Sequence, residues 1–313
     1  ADFEFLPSGD LLLLTYEHRM DKGSALRLLD SNFHVVDVHY MGNDIIELQK
    51  DYRGRVHCIA QEKVYYIRQE EETIYSYLES RDYYFKFLAP VIDTIGSKLY
   101  YSNYSDLYPA FDYMEFDTQD SIFKVLLKVE DELIMELYRA EFKYVDVRTK
   151  LWAANKQLET GIDKEIWVGA SVFTNSLYYT PLYAPLFKVG DEEILIFDHY
   201  KNLMFRYNPE VGVTDSVRIN YHINERKSGW EQPLIQDELN GKIYALFLKG
   251  GYSYLSEIDQ ITGQVLASYK LHYKYVEQIK IIDDLVHYIY RPFETPQKKY
   301  LYTEELKIPV IEE

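Results

Sequence analysis

Short apolar runs rich in leucine, β-branched and aromatic residues recur along this chain, each entered through a small polar turn that holds glycine or aspartate. Pro7-Ser8-Gly9-Asp10 leads into Leu11 to Tyr16, and Tyr52-Arg53-Gly54-Arg55 into Val56 to Ala60. Ile95-Gly96-Ser97-Lys98 precedes Leu99 to Tyr101, and Val189-Gly190-Asp191 precedes Ile194 to Phe197. Asn240-Gly241-Lys242 precedes Ile243 to Leu248, and Asp283-Asp284 precedes Leu285 to Tyr290. Runs of this length between turn residues predict β-strands. Further strands follow with a second polar turn, as in Ala25 to Leu29 then Asp30-Ser31-Asn32, Tyr113 to Phe116 then Asp117-Thr118-Gln119-Asp120, and Tyr254 to Ile258 then Asp259 to Gly263. These are hairpins.

Gly9 and Gly54 are 45 residues apart, Gly54 and Gly96 42, Gly190 and Gly241 51, and Gly241 and Asp283 42. Repeats near this length read as four-stranded propeller blades, each of which needs its neighbours to bury an apolar face. The interval from Gly96 to Gly190 is 94 residues, which leaves room for one repeat and an insertion of about 50 residues. There the period changes. Ile134, Tyr138, Phe142, Val145 and Trp152 recur at spacings of three, four or seven and predict one helix from Asp131 to Leu158, with acidic residues at its start and Gly161 as its stop. The expected fold is all-β: a single six-bladed β-propeller domain over residues 1–313, with a helical insertion at about residues 131–160. The whole inserted segment, 131–180, lies between the third and fourth blades. Seven blades is the alternative, and it needs another repeat inside the long interval, where no glycine occurs between Gly96 and Gly161.

Composition narrows the function classes. A chain of 313 residues, 47% hydrophobic and 27% charged, can bury a sizeable core. Its formal charge of −17 repels a phosphate backbone, so nucleic acid is not an expected partner. The 32 tyrosines suit half-buried strands, with the ring on the sheet and the hydroxyl in water. Cys58 is the only cysteine; it excludes an internal disulfide and a cysteine-rich metal site, and its place in the run Val56 to Ala60 assigns it to a core strand. No run is long enough for a membrane-spanning helix. The chain begins at Ala1, which accommodates a leader removed by processing.

Phosphate-loop, dinucleotide, nucleophile-elbow and zinc-protease motifs are absent. The histidines, His18, His34, His39, His57, His199, His222, His272 and His287, form no ligand-like pair on one helix face. Asp198 and His199 share a turn between two strands and are candidates for holding a divalent cation, although aspartate and asparagine are also ordinary turn formers. The segment Leu177 to Phe187, with two prolines and Tyr178, Tyr179 and Tyr183, reads as an aromatic loop. With Trp152 and Trp167 it offers a surface for a sugar ring or a protein partner, or else cements the insertion to the blades. Glu70-Glu71-Glu72 reads as a hairpin tip, and Asp93, Asp283 and Asp284 lie near inner blade edges, where acidic groups attract cations.

Asp146 to Ala154, Gly161-Ile162-Asp163-Lys164-Glu165-Ile166-Trp167, Tyr183-Ala184-Pro185-Leu186-Phe187 and Phe197 to Asn202 resemble the bacterial six-bladed propellers grouped with the NHL and TolB types. A cell-envelope family without an established activity is the nearest in kind. The resemblance implies an exported protein of the periplasm or envelope, with a lipid anchor upstream where a lipobox cysteine exists; this chain has none. The leading functional expectation is a propeller that binds a protein or carbohydrate through Trp152, Trp167, Tyr178, Tyr179, Tyr183, Asp198 and His199, needs no cofactor and is not an enzyme. The alternative is a carbohydrate-active or lactone-type propeller enzyme, with a divalent cation at the channel mouth.

Overall fold

A computed structural model of the protein describes residues 2–16, 23–42, 45–173, 180–223, 228–294 and 298–306. The described residues form five four-stranded sheets and one three-stranded sheet, all antiparallel meanders in which neighbouring strands follow chain order. The first sheet comprises β1 (Asp2–Phe5), β2 (Leu11–Tyr16), β3 (Ser24–Leu29) and β4 (Val35–Met41). The second comprises β5 (Ile45–Lys50), β6 (Val56–Ala60), β7 (Val64–Glu70) and β8 (Thr73–Glu79). The third holds β9 (Val91–Ile95), β10 (Lys98–Ser102), β11 (Ala110–Asp117) and β12 (Phe123–Glu130). The fourth holds β13 (Leu186–Val189), β14 (Glu193–Asp198), β15 (Leu203–Asn208) and β16 (Gly212–Arg218). The fifth holds β17 (Trp230–Gln236), β18 (Ile243–Lys249), β19 (Tyr252–Ile258) and β20 (Val265–Lys274), and the sixth β21 (Glu277–Ile282), β22 (Leu285–Tyr290) and β23 (Tyr300–Glu305). Repeated sheets of this kind are consistent with a multi-bladed propeller.

The second polar turns fall between the third and fourth strands of a sheet, and the six turns that open the repeats fall at one structural position, the hairpin between the first and second. Gly9, Gly54, Gly96, Gly190 and Gly241 all have positive φ there, and Asp283 and Asp284 take the same left-handed region in the sixth sheet. Only residues that tolerate this region without a Cβ clash fit the turn, which is why glycine or aspartate marks each repeat.

The chain falls into two compact units, Ala1–Thr94 with Tyr221–Gln260 and Gln264–Glu313, and Ile95–Asn220 with Ile261–Gly263. In the first unit three apolar layers join four sheets. Tyr244 and Leu255 meet Val286 and Tyr288 between the fifth and sixth sheets, and Phe3, Phe5 and Leu11 meet Ile289 between the sixth and first. Leu12, Leu14 and Leu26 meet Val56, Cys58 and Ile67 between the first and second. Burial of Cys58 pushes its thiol well above the ordinary range. Carboxylates tie the same sheets together: Asp2 Oδ2 accepts from Leu48 N at 2.7 Å, and Asp37 Oδ2 from Ile74 N at 2.9 Å. Asp237, fully buried, accepts from the backbone N–H groups of Asp283 and Asp284 at 2.9 and 2.8 Å. A charged acceptor that gathers backbone donors satisfies both partners away from water.

In the second unit Tyr100, Phe111 and Val129 of the third sheet face Leu186, Ile194 and Ile196 of the fourth. The helix expected from Asp131 to Leu158 is instead two, α2 (Glu132–Tyr144) and α3 (Val147–Thr160), followed by a further helix, α4 (Lys164–Phe173), all counted after the one-turn α1 (Arg81–Tyr83). The break has a local cause. Val145 is extended, and the Asp146 carboxylate caps a new helix by accepting from Thr149 N at 2.8 Å. Gly161 closes α3 in the left-handed conformation. Trp152 therefore does not continue the stripe of Tyr138; Tyr138 is fully buried, whereas Trp152 is exposed.

Gly169 of α4 lies against the buried Tyr138 ring of α2, where an added Cβ would lie 2.2 Å from its Cγ. Ala ordinarily favours a helix over Gly by about 1 kcal/mol, but overpacking a core costs about 1–3 kcal/mol. Gly169→Ala is expected to destabilise the helical segment on balance. Hydrogen exchange should then speed up across residues 132–173 and stay unchanged in the sheets.

Candidate functional site

Strand direction alternates in a meander, so the first–second and third–fourth hairpins of a sheet lie at the same edge. In the first unit this edge carries a cavity of about 470 Å³, lined from four sheets. Its wall is apolar, from Phe5, Leu11, Phe33, Leu239, Ile282 and Leu285, and its polar lining includes Lys50, Arg53, Glu238, Asp283 and His287. That volume and mixture suit a small organic molecule.

The charges in the wall are held by one another. Lys280 of β21 pairs with Glu4 of β1, Glu4 lies 3.6 Å from Lys50 of β5, and Lys50 lies 2.5 Å from Glu238, just beyond β17. First strands of three sheets and the turn after the first strand of another thus converge on one ionic chain. Arg53 is exposed at the rim; its Nε donates to Tyr52 Oη at 2.8 Å and its guanidinium lies 5.0 Å from that ring, which holds it in place.

His287 of β22 is 4% exposed and lines the cavity. Its Nδ1 bonds Thr303 Oγ1 at 3.0 Å. Phe5 meets its ring edge to face at 4.8 Å, and Phe33 lies 5.9 Å away. Burial lowers its pKa to about 4, so the imidazole is neutral at pH 7 and presents Nε2 as its remaining polar atom.

Phe33, like Tyr275, is an aromatic residue in the left-handed region, and it alone of the two lines the cavity. It has φ 61° and is 42% exposed. The turn closes with Asp30 N donating to the His34 carbonyl, and Phe33 stands immediately before that acceptor. In the third and fifth sheets, whose turns are one residue longer, Ser121 and Gly263 precede the closing carbonyls of Ile122 and Gln264 with positive φ, and in the second sheet Glu71 takes positive φ in the same hairpin. A small residue is enough for the turn; a bulky side chain there costs about 1–3 kcal/mol.

Of the residues singled out from the sequence, Trp152, Trp167, Tyr183, Asp198 and His199 lie in the second unit, whereas Asp93, Asp283 and Asp284 lie in the first, where Asp283 lines the cavity. Tyr178 and Tyr179 lie outside the described residues, as does His18. Trp152 and Trp167 come together, edge to face at 6.1 Å, with Tyr108 6.0 Å from Trp167. Tyr183, Asp198 and His199 also come together, with the Tyr183 ring stacked on His199 at 5.6 Å and His199 Nδ1 3.1 Å from the Tyr183 carbonyl. Fully buried Asp198 accepts from Tyr200 N and Lys201 N, both at 3.1 Å, and pairs with Lys201 Nζ at 3.2 Å. The Tyr200 hydroxyl accepts from Tyr183 N at 2.9 Å, and burial pushes its pKa up to about 12. These contacts build the Asp198 turn and hold the Tyr183 segment against it. Among the described residues no group of three or more His, Cys, Asp or Glu side chains is placed to hold a metal ion.

No family model and no curated protein matches the chain. Virginiamycin B lyase from Staphylococcus aureus aligns over 98% of this chain and 84% of its own, at 9% identity and a TM-score of 0.35. A streptogramin B lyase aligns over 98% and 83%, at 8% identity and a TM-score of 0.37. A luciferin-regenerating enzyme aligns over 88% and 82%, at 7% identity and a TM-score of 0.38. Likenesses this distant leave the chemistry to be argued from the site itself.

Because the folded pKa of His287 lies below its ordinary 6.5, the unfolded chain binds the extra proton between about pH 6.5 and pH 4. The stability this histidine supplies is complete above pH 6.5 and is lost as pH falls towards 4, by about 3 kcal/mol at most. His287→Gln should remove that component, so urea unfolding of wild type and variant at pH 7 and pH 4.5 should show a smaller acid loss in the variant.

Proposed function

We propose that the protein is a binding propeller of a bacterial cell envelope, six sheets closing as six blades, whose ligand site is the cavity around Phe33 and His287. The observation that carries this reading is Phe33, a large aromatic ring kept in a left-handed turn position that serine or glycine fills elsewhere in the same chain. Strain of that kind persists where it serves a site. The ligand that fits has an apolar body of ring size against Phe5, Phe33 and Ile282, and a polar group within reach of His287 Nε2 or the Arg53 guanidinium. The envelope location rests on the resemblance to exported propellers. The surface of Trp152, Trp167 and Tyr183 remains the second contact proposed, for a protein or carbohydrate partner.

Thermal-shift screening against small aromatic acids, oligosaccharides, calcium and zinc tests the reading, since a ligand that binds only the folded state raises its melting temperature. Aromatic acids are expected to stabilise the wild type. Phe33→Gly should keep or raise basal stability, by up to about 1 kcal/mol as the backbone strain is relieved, while weakening that stabilisation. Equal ligand response in wild type and variant would remove the cavity from consideration, and stabilisation by a metal ion alone would favour the carbohydrate-active or lactone-type enzyme.

A further inference from the structure

Helices α2 and α3 each turn an apolar stripe outward. On α2 it is Leu133, Leu137, Ala140 and Tyr144; on α3 it is Val147, Leu151, Ala154 and Leu158. The two stripes have the same spacing, i, i+4, i+7 and i+11, which is one straight face about 16 Å long. Their large members are exposed: Leu133 and Val147 by 72% each, Tyr144 and Leu158 by 86% each. Both stripes point away from α4, because Met135 and Tyr138 on the other side of α2 meet Ile166 and Ala170 of α4, and Ala153 is the buried side of α3. An amphipathic helix ordinarily buries its stripe.

The charges beside the stripes differ in sign. Glu136 and Glu141 flank the α2 stripe, one on each side, with Lys143 beside Glu136's edge, and Arg148 and Lys150 flank the α3 stripe in the same manner, the Lys150 Nζ donating to the Lys143 carbonyl at 2.9 Å. Glu136, Glu141 and Arg148 make no ion pair among the described residues. At a net charge of −17 two copies of the chain repel each other at long range, so self-association needs a face that opposes charges locally.

We propose that this face joins two copies of the chain, with α2 of each copy lying along α3 of the other. The arrangement is two-fold and self-complementary, and it brings each glutamate-flanked stripe onto an arginine- and lysine-flanked one. It concerns the helices alone and stands or falls independently of the cavity.

Sedimentation velocity over a concentration series tests the pairing with the full chain. The wild type is expected to dimerise. Glu136→Lys with Glu141→Lys should weaken the dimer at least about tenfold, and adding Arg148→Glu with Lys150→Glu should restore it, since the charges then oppose again with their signs exchanged. Leu151→Ser, on an exposed position, should weaken it without altering the circular dichroism. A wild type that stays monomeric at every concentration, a dimer indifferent to the glutamate reversals, or a fourfold variant that is not restored would overturn the proposal. So would flotation of the monomer with phosphatidylglycerol vesicles through Leu151, which would give the face to a membrane.

Discussion

Apolar burial on both faces of the sheets is the constraint from which the architecture follows. Strand β6 is buried at every residue, β14 at five of six and β22 at its four central residues. A strand covered on both sides cannot belong to a sheet that stands alone, and hydrophobic burial supplies the main drive to cover it. Such strands therefore require apolar cover on both faces, which need not be another sheet: Ile59 and Val64 of the second sheet pack against Tyr84 and Leu88 of the helical turn that follows it. The fourth strands β4, β8 and β12, by contrast, leave much of their length exposed and mark the outer edges.

Apolar layers alone leave the relative height of two sheets poorly specified, because they are not directional. Directional contacts do that here. Asp2, Asp37 and Asp237 each reach across to backbone N–H groups of the next sheet, and the chain of Lys280, Glu4, Lys50 and Glu238 links the first strands. The same contacts shape the cavity, since Lys50, Glu238 and Asp283 belong both to the ties and to its wall. The cavity is a by-product of how the sheets are aligned, to which Phe33 adds a ring from a left-handed turn position.

The turns were legible in the sequence because positive φ restricts residue type so strongly that Gly9, Gly54, Gly96, Gly190 and Gly241 repeat in register. Strand runs such as Val56 to Ala60 were legible for the same kind of reason, being bounded by those turns. The cavity was not, since Phe5, Phe33, Lys50, Leu239 and His287 are brought together only by the packing of four sheets. One signal was available: aligned third–fourth turns place Phe33 opposite Ser121 and Gly263. Asp198 and His199 were visible as a pair, but burial and the bonds to Tyr200 and Lys201 make the aspartate a turn residue. The helical insertion was misread in one respect. Apolar spacing continues through Val145, and it outweighed the capping signal Asp146-x-x-Thr149 that ends one helix and starts another.

The layer of Phe3, Phe5, Leu11 and Ile289 joins strands from opposite ends of the chain. During synthesis the first sheet leaves the ribosome long before the sixth that must cover it, and β2 waits with one greasy side open until β22 has been made. The central stretch from residue 95 to 220 has no such delay, for nearly all of its partners lie within itself. Contacts between distant parts of a chain form slowly, and uncovered strands invite aggregation in the interval. Nascent chains stalled before residue 285 should accordingly be the form that depends most on chaperones.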